Sequence, residues 1–252
     1  MRRRKPIRLS LANACVKAGL ACAPRGSTAR AARVMIGPVS VDSATSHAMH
    51  LPAFYSHAPR LLLRDPLAAL LGAAEGGLLE YGYADAVRLA GHSCPTVAGA
   101  YLMARAGLRA LYPDALPERG GVQVTMSAAE VEGSTGVIAQ VFTLVTGAAA
   151  NNGFNGIGGR FARHGLLRYG GGDLRSIAAF RRLDSGDTVH VAMDLATVPP
   201  APQLRALMAR ALADDASAEE RAAFASVWQD RVRRLLLEHA DDPATIRAER
   251  RA

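Results

Sequence analysis

Cysteine is nearly absent from this 252-residue chain: Cys15 and Cys22 lie near its start, and Cys94 alone lies in its body. Three cysteines without a repeated pair spacing build neither a disulfide framework nor a structural zinc knuckle, and such usage suits a reducing cytoplasm. Lysine is scarcer still, with only Lys5 and Lys17. Aromatic residues are 5% of the chain, and Trp228 is its single tryptophan. No uninterrupted apolar run reaches the ~18 to 20 residues that a membrane span needs, so no membrane partner is expected. Half of the residues are hydrophobic, enough for one good core, or one core with a small appendage.

Positive charge is present, but unevenly placed. The formal net charge is +8, and residues 1–48 hold nine Lys or Arg against one acid, Asp42. After Ala48 the chain has twenty-one residues of each sign. A neutral body without a basic, aromatic-interleaved face does not suggest a nucleic-acid partner. Residues 1–48 open with a positive run, a mildly apolar stretch and small residues, as an export signal does. Lys17 and Asn13 interrupt that stretch, and arginines resume at Arg25. A disordered extension is the expectation, and Met49 makes a natural alternative start.

Downstream, the dense leucines of 59–72 predict one or two short helices. A helix is expected from Ala84 to Ala90, ended by Gly91. The clearest helix runs from Thr96 to Leu111, where Val97, Tyr101, Ala104, Leu108 and Leu111 form one stripe. Gly99, costly in a helix, suggests close packing against another backbone. Val122, Val124 and Met126 alternate with polar residues as in a half-buried strand. Residues 135–146 fit a helix by length and period. Residues 147–172 contain nine glycines, too many for a regular element. Asp184-Ser185-Gly186-Asp187 joins two strands of a hairpin. Ser217 and Glu220 have capping-box spacing at the head of a long amphipathic helix. The expected fold is α+β, a central antiparallel or mixed sheet with packed helices. Its divisions are the extension 1–48, the main domain 49–198 and a helical appendage over 199–252.

The stretch Gly91-His92-Ser93-Cys94-Pro95 carries the chemistry. Pro95 suits the first helical position, where its missing N–H costs nothing, so Cys94 becomes the N-cap. The positive helix end favours a thiolate there. His92 lies two residues earlier and points the same way in extended chain. Sulfur and nitrogen together suit a divalent transition metal, zinc or iron, though a catalytic zinc needs three protein ligands. Glu130 and Glu132, beside a turn after the predicted strand, are candidates for a third ligand or an acid–base group. The glycine-rich segment can present backbone N–H groups to an anion. Gly156, Gly158, Gly159 and Arg160 are its candidate substrate-binding residues, with Arg163 adding charge. Phe161 stands where a dinucleotide fingerprint needs its third glycine, so that match fails.

The run "GHSCPTVAGAYLM" followed by "STGVIAQVFTLVTG" resembles the FmdE domain family, which takes its name from formylmethanofuran dehydrogenase, over roughly residues 80–195. The resemblance implies an α+β domain, often a homodimer, with a metal or redox site at the positions of His92 and Cys94. The family's further cysteines and its C-terminal zinc ribbon have no counterpart here. Either Glu130 or Glu132 completes a metal site with His92 and Cys94, or the site is a metal-free thiol. Two functions are therefore expected. One is a metal-binding enzyme, or an accessory component of one, in redox or one-carbon metabolism, with Cys94, His92 and Glu132 in its catalytic site. The other is a non-catalytic dimeric module that delivers a metal or a small anionic ligand to a partner. A chain that begins at Met49 is expected to melt at the temperature of the full chain, measured by circular dichroism. A loss as large as that from a core substitution would assign the first 48 residues to the core.

Overall fold

The computed structural model describes residues 50–171 and 175–250. The chain divides into two units between Ala48 and Met49. Everything described belongs to the second unit, and the expectations for the basic extension lie outside the described residues.

The leucine-rich stretch begins as strand, where helix was expected. Strand β1, Leu61–Arg64, pairs antiparallel with β2, Leu78–Tyr81, as a separate two-stranded sheet. Leu61 and Leu63 are buried while Leu62 and Arg64 are exposed, so the period is two. An almost unbroken run of leucines hides that alternation from a reading of polarity. Between the strands, Asp65 caps the short helix α1, Pro66–Leu70.

The next helices match the sequence closely. Helix α2, Tyr83–Ala90, stops at Gly91 in the left-handed region, which a residue without Cβ adopts freely. Helix α3 is Pro95–Leu111, with Pro95 in its first turn and Cys94 as N-cap. Strand β3, Val122–Met126, alternates as expected, and helix α4 is Thr135–Thr146. The glycine-rich stretch then yields only the two-residue strand β4, Leu167–Arg168. Strands β5, Ala178–Arg182, and β6, Thr188–Met193, form the predicted hairpin.

The main sheet has the order β4-β3-β5-β6-β7, where β7 is Ile246–Arg250. Its β3–β4 pair is parallel and the others are antiparallel, so the fold is α+β with a mixed sheet. Val122, Val124 and Met126 of β3, Phe180 of β5 and Val191 of β6 are fully buried, beneath α3 and α4. Phe142 of α4 meets Phe180 edge-on, with centroids 5.0 Å apart, an arrangement worth about 0.5–1.5 kcal/mol beyond its buried area.

The C-terminal region departs from the expected helical appendage. Helices α5, Leu204–Ala211, and α6, Ala218–Leu237, are present, and Ser217 and Glu220 make the reciprocal capping box. Helix α6 packs on α3, however, and the chain then returns as β7 along the edge of β6. Strand β7 thus completes the sheet. The segment "TIRAER" escapes a polarity reading because its outward-facing residues are charged.

Helix α3 lies close over the sheet through its two glycines. The contact at Gly99 is a side chain and not the expected backbone: a Cβ there would stand 2.3 Å from Met193 Sδ. At Gly107 a Cβ would meet Val191 and Phe180 at 2.9 and 3.0 Å. Met193 is half-buried, with a mobile end that can yield, whereas Phe180 cannot. Gly99→Ala is therefore expected to hold or raise stability, by up to about 1 kcal/mol of helix propensity. Gly107→Val should cost about 1–3 kcal/mol through overpacking. Urea melts of both variants check the contrast, and a Gly107→Val variant as stable as the parent would refute it.

Candidate functional site

Helix α6 fixes the segment that opens α3. Trp228 Nε1 donates to Ser93 O at 2.9 Å, and Gln229 Nε2 donates to the same oxygen at 3.4 Å. Ser93 Oγ donates to Gln229 Oε1 at 3.0 Å and shares a 2.9 Å hydrogen bond with Tyr83 Oη. Tyr55 Oη donates to the same Gln229 oxygen at 3.2 Å. Burial raises the pKa of Tyr83 well above its ordinary value, against the opposing hydrogen bond from Ser93, so the group stays a phenol. The residue between His92 and Cys94 is thus the anchor of the segment. Sequence reasoning passes over Ser93, since no local spacing links it to Trp228 and Gln229, 135 and 136 residues away.

The two flanking residues have different fates. Cys94 is a half-buried free thiol whose Sγ accepts from Val97 N at 3.4 Å, so it acts as the predicted N-cap. His92 is exposed and its Nδ1 donates to Ala90 O at 3.0 Å. Glu130 and Glu132 are both exposed in the turn after β3. Glu130 borders a cavity with Tyr169, Leu89, Gln140 and Thr143. Among the described residues no three of His, Cys, Asp or Glu come together as a group able to hold a metal ion. The expected set of His92, Cys94 and Glu130 is therefore not assembled, and neither is the expected catalytic trio of Cys94, His92 and Glu132. Among the described residues the donors present do not make a three-ligand zinc or iron site. Both glutamates are exposed, and Glu130 faces a cavity lined by residues of α2 and α4.

The strongest concentration of buried charge lies elsewhere, on Asp65. Its Oδ1 accepts from Leu67 N at 2.9 Å and Ala68 N at 3.2 Å, which caps α1. The same oxygen accepts from Arg163 Nη2 at 2.7 Å, and Oδ2 accepts from Arg119 Nη1 at 3.0 Å. Asp65 is 3% exposed. Burial pushes its carboxyl pKa up, but the hydrogen bond from Arg119 and the charges of Arg163 and Arg119 outweigh this and hold it below the ordinary value. Arg119 also donates through Nε and Nη2 to Leu144 O at 3.2 and 3.1 Å. It thereby ties the C-terminal turn of α4 to the same point. Burial lowers the pKa of Arg163, against the charge of Asp65. Arg163 Nε is buried without an acceptor. A Cβ on Gly120 would stand 1.2 Å from Arg163 Nη1, so only glycine lets the guanidinium pass.

The glycine-rich segment is well organised despite its composition. Ala149 N donates to Arg163 O and Arg163 N to Phe154 O, at 3.0 and 2.8 Å. Ile157 and Arg160 exchange both backbone hydrogen bonds around Gly158 and Gly159, whose φ values are 57° and 76°. Two successive positive φ angles define a tight hairpin turn that glycines close without strain. Phe161, at φ 62°, is the non-glycine residue in the left-handed region among those described, and such strain gathers at binding sites. The turn carries Arg160 and Phe161 to a cavity of about 530 Å³, which Arg64, Arg119 and Arg163 also line. Of the expected substrate residues, Arg160 lines this cavity, while Gly156, Gly158 and Gly159 shape the turn behind it. Neither this cavity nor the one beside Glu130 has His92 or Cys94 among its lining residues. The glycine-rich segment and the Cys94 helix start are separate features.

Comparison with known family models finds no match to this chain, and comparison with curated proteins finds none either. No helix among the described residues is long and apolar enough to cross a membrane.

Asp65→Asn keeps a capping oxygen but leaves Arg119 and Arg163 without a counter-charge, a change expected to cost about 3–5 kcal/mol. The pH dependence follows from the depressed carboxyl pKa. The contribution is complete above the unfolded carboxylate pKa of about 4 and is lost as pH falls through the lower folded value. Denaturant melts between pH 7 and pH 3 should show an acid loss in the parent chain that is smaller in Asp65→Asn. Equal acid losses would place the sensitivity on other carboxylates.

Proposed function

We propose that this chain is a cytoplasmic binding module for a small anionic ligand, held in the arginine-lined cavity. One observation carries the reading: Arg64, Arg119, Arg160 and Arg163, from three segments far apart in sequence, line one cavity with a single acid, Glu118. Guanidinium forks match carboxylate and phosphate oxygens in pairs. Asp65 already engages Arg119 and Arg163 and holds their planes in place before a ligand arrives. Such preorganisation lowers the ordering cost of binding. The resemblance to the FmdE domain is read as a shared scaffold, in which the His-Ser-Cys-Pro segment serves as the anchored start of α3.

Titration calorimetry of the full chain with inorganic phosphate, sulfate and succinate tests this. At least one should bind saturably and more weakly as salt rises. Arg160 is exposed, so Arg160→Ala should leave the melting temperature unchanged. It should weaken binding about tenfold, the loss of one charge-assisted hydrogen bond. Absence of saturable binding by all three anions would overturn the proposal.

A further inference from the structure

We infer that the ligand is a phosphate monoester whose phosphate occupies the arginine-lined cavity and whose hydroxylated body extends into the neighbouring one; this rests on the anion-binding reading above. The second cavity, of about 580 Å³, adjoins the first, because Arg64, Glu118, Gly120 and Leu183 line both. The two are lobes of one cleft, each in the size range of small-molecule sites, roughly 300–1,000 Å³.

Their chemistry differs. In the first lobe four guanidinium groups meet one lining carboxylate, with Asp65 behind them, an excess of two positive charges. Arg163 brings a buried Nε donor that has no acceptor. In the second lobe Arg182 is already matched. Its Nε and Nη2 donate to the two carboxylate oxygens of Asp184 at 2.7 and 2.8 Å, and its guanidinium lies 4.1 Å from the Tyr112 ring centroid. Arg64 and Glu118, shared with the first lobe, offset each other, so the second lobe is neutral overall, with the exposed Leu116 and Leu183 beside them.

A ligand suited to this cleft concentrates its charge at one end. A phosphate monoester carries about −1.5 to −2 at neutral pH on three acceptor oxygens. That is close to the excess charge of the first lobe. Its body is uncharged, so hydroxyl groups can donate to Glu118 while carbon faces cover Leu116 and Leu183. A dicarboxylate of similar size divides its charge between two ends. With one end on the arginines, the other meets the shared carboxylate Glu118 in a lobe whose own cation, Arg182, is already paired with Asp184.

Calorimetry on the full chain with glucose 6-phosphate, adenosine monophosphate, inorganic phosphate and succinate distinguishes these cases. At least one monoester should bind ten or more times tighter than both inorganic phosphate and succinate. Leu116 lines the second lobe only and is exposed. Leu116→Ser should therefore remove most of the monoester's advantage while leaving phosphate affinity within a factor of two. Glu118→Gln should improve succinate more than it improves either monoester. Equal affinity for phosphate and both monoesters, or succinate binding as tightly as they do, overturns the monoester assignment and leaves the anion module standing. Failure of every anion to bind overturns both.

Discussion

A single carboxylate holds together four parts of the chain that are distant in sequence. Asp65 closes the first turn of α1, takes one guanidinium from the segment after α3 and another from the glycine-rich segment, and through Arg119 reaches the end of α4. Burying an ion costs several kcal/mol unless its partners return that energy with good geometry, and the four hydrogen bonds at Asp65 provide such geometry. The arrangement is oriented as well as stable. It aligns two arginines along the wall of a cavity, and Gly120 is the one residue type that permits the approach. A substitution at any of these positions acts on fold and cavity together.

The His-x-Cys-Pro segment follows the local logic of its sequence without gathering a third metal ligand among the described residues. Its geometry follows the sequence logic: proline in the first helical turn, cysteine as cap, histidine two residues before. The inward residue is the serine between them, gripped by Tyr83 and by α6. An imidazole turned to its own backbone and a thiol occupied as a cap are then the consequences of anchoring Ser93. The stretch starts a helix at a fixed place.

Legibility in the sequence follows the range of the interactions. Helix α3 is readable because its signals are adjacent: proline, a cap and an apolar stripe at helical spacing. The β5–β6 hairpin is readable from its turn, and the capping box from residues three apart. Strand β1 reads wrongly as helix because four residues that are nearly all leucine show no polarity contrast, and β7 is hidden because its polar face is charged. Arg160 and Arg163 stand out as charges on a glycine-rich segment, but nothing marks Arg64, Asp65 and Arg119 as their neighbours. The pair Asp65-Pro66 does announce a helix cap. Nothing in one sequence announces that its second oxygen serves an arginine 54 residues away.

Strand β7 bears on how the chain is made. Strand β6 ends at Met193 and its outer partner begins at Ile246, so two helices are synthesised while one flank of the sheet stands open. That flank displays the unpaired N–H and C=O groups of a Val- and Ala-rich strand, a surface that invites pairing with other chains. Distant pairings of this kind also form late in folding. The last strand therefore works as a closing seal. A chain interrupted within α6 would hold nearly all the residues of the core and still present an adhesive edge, with self-association as its characteristic failure.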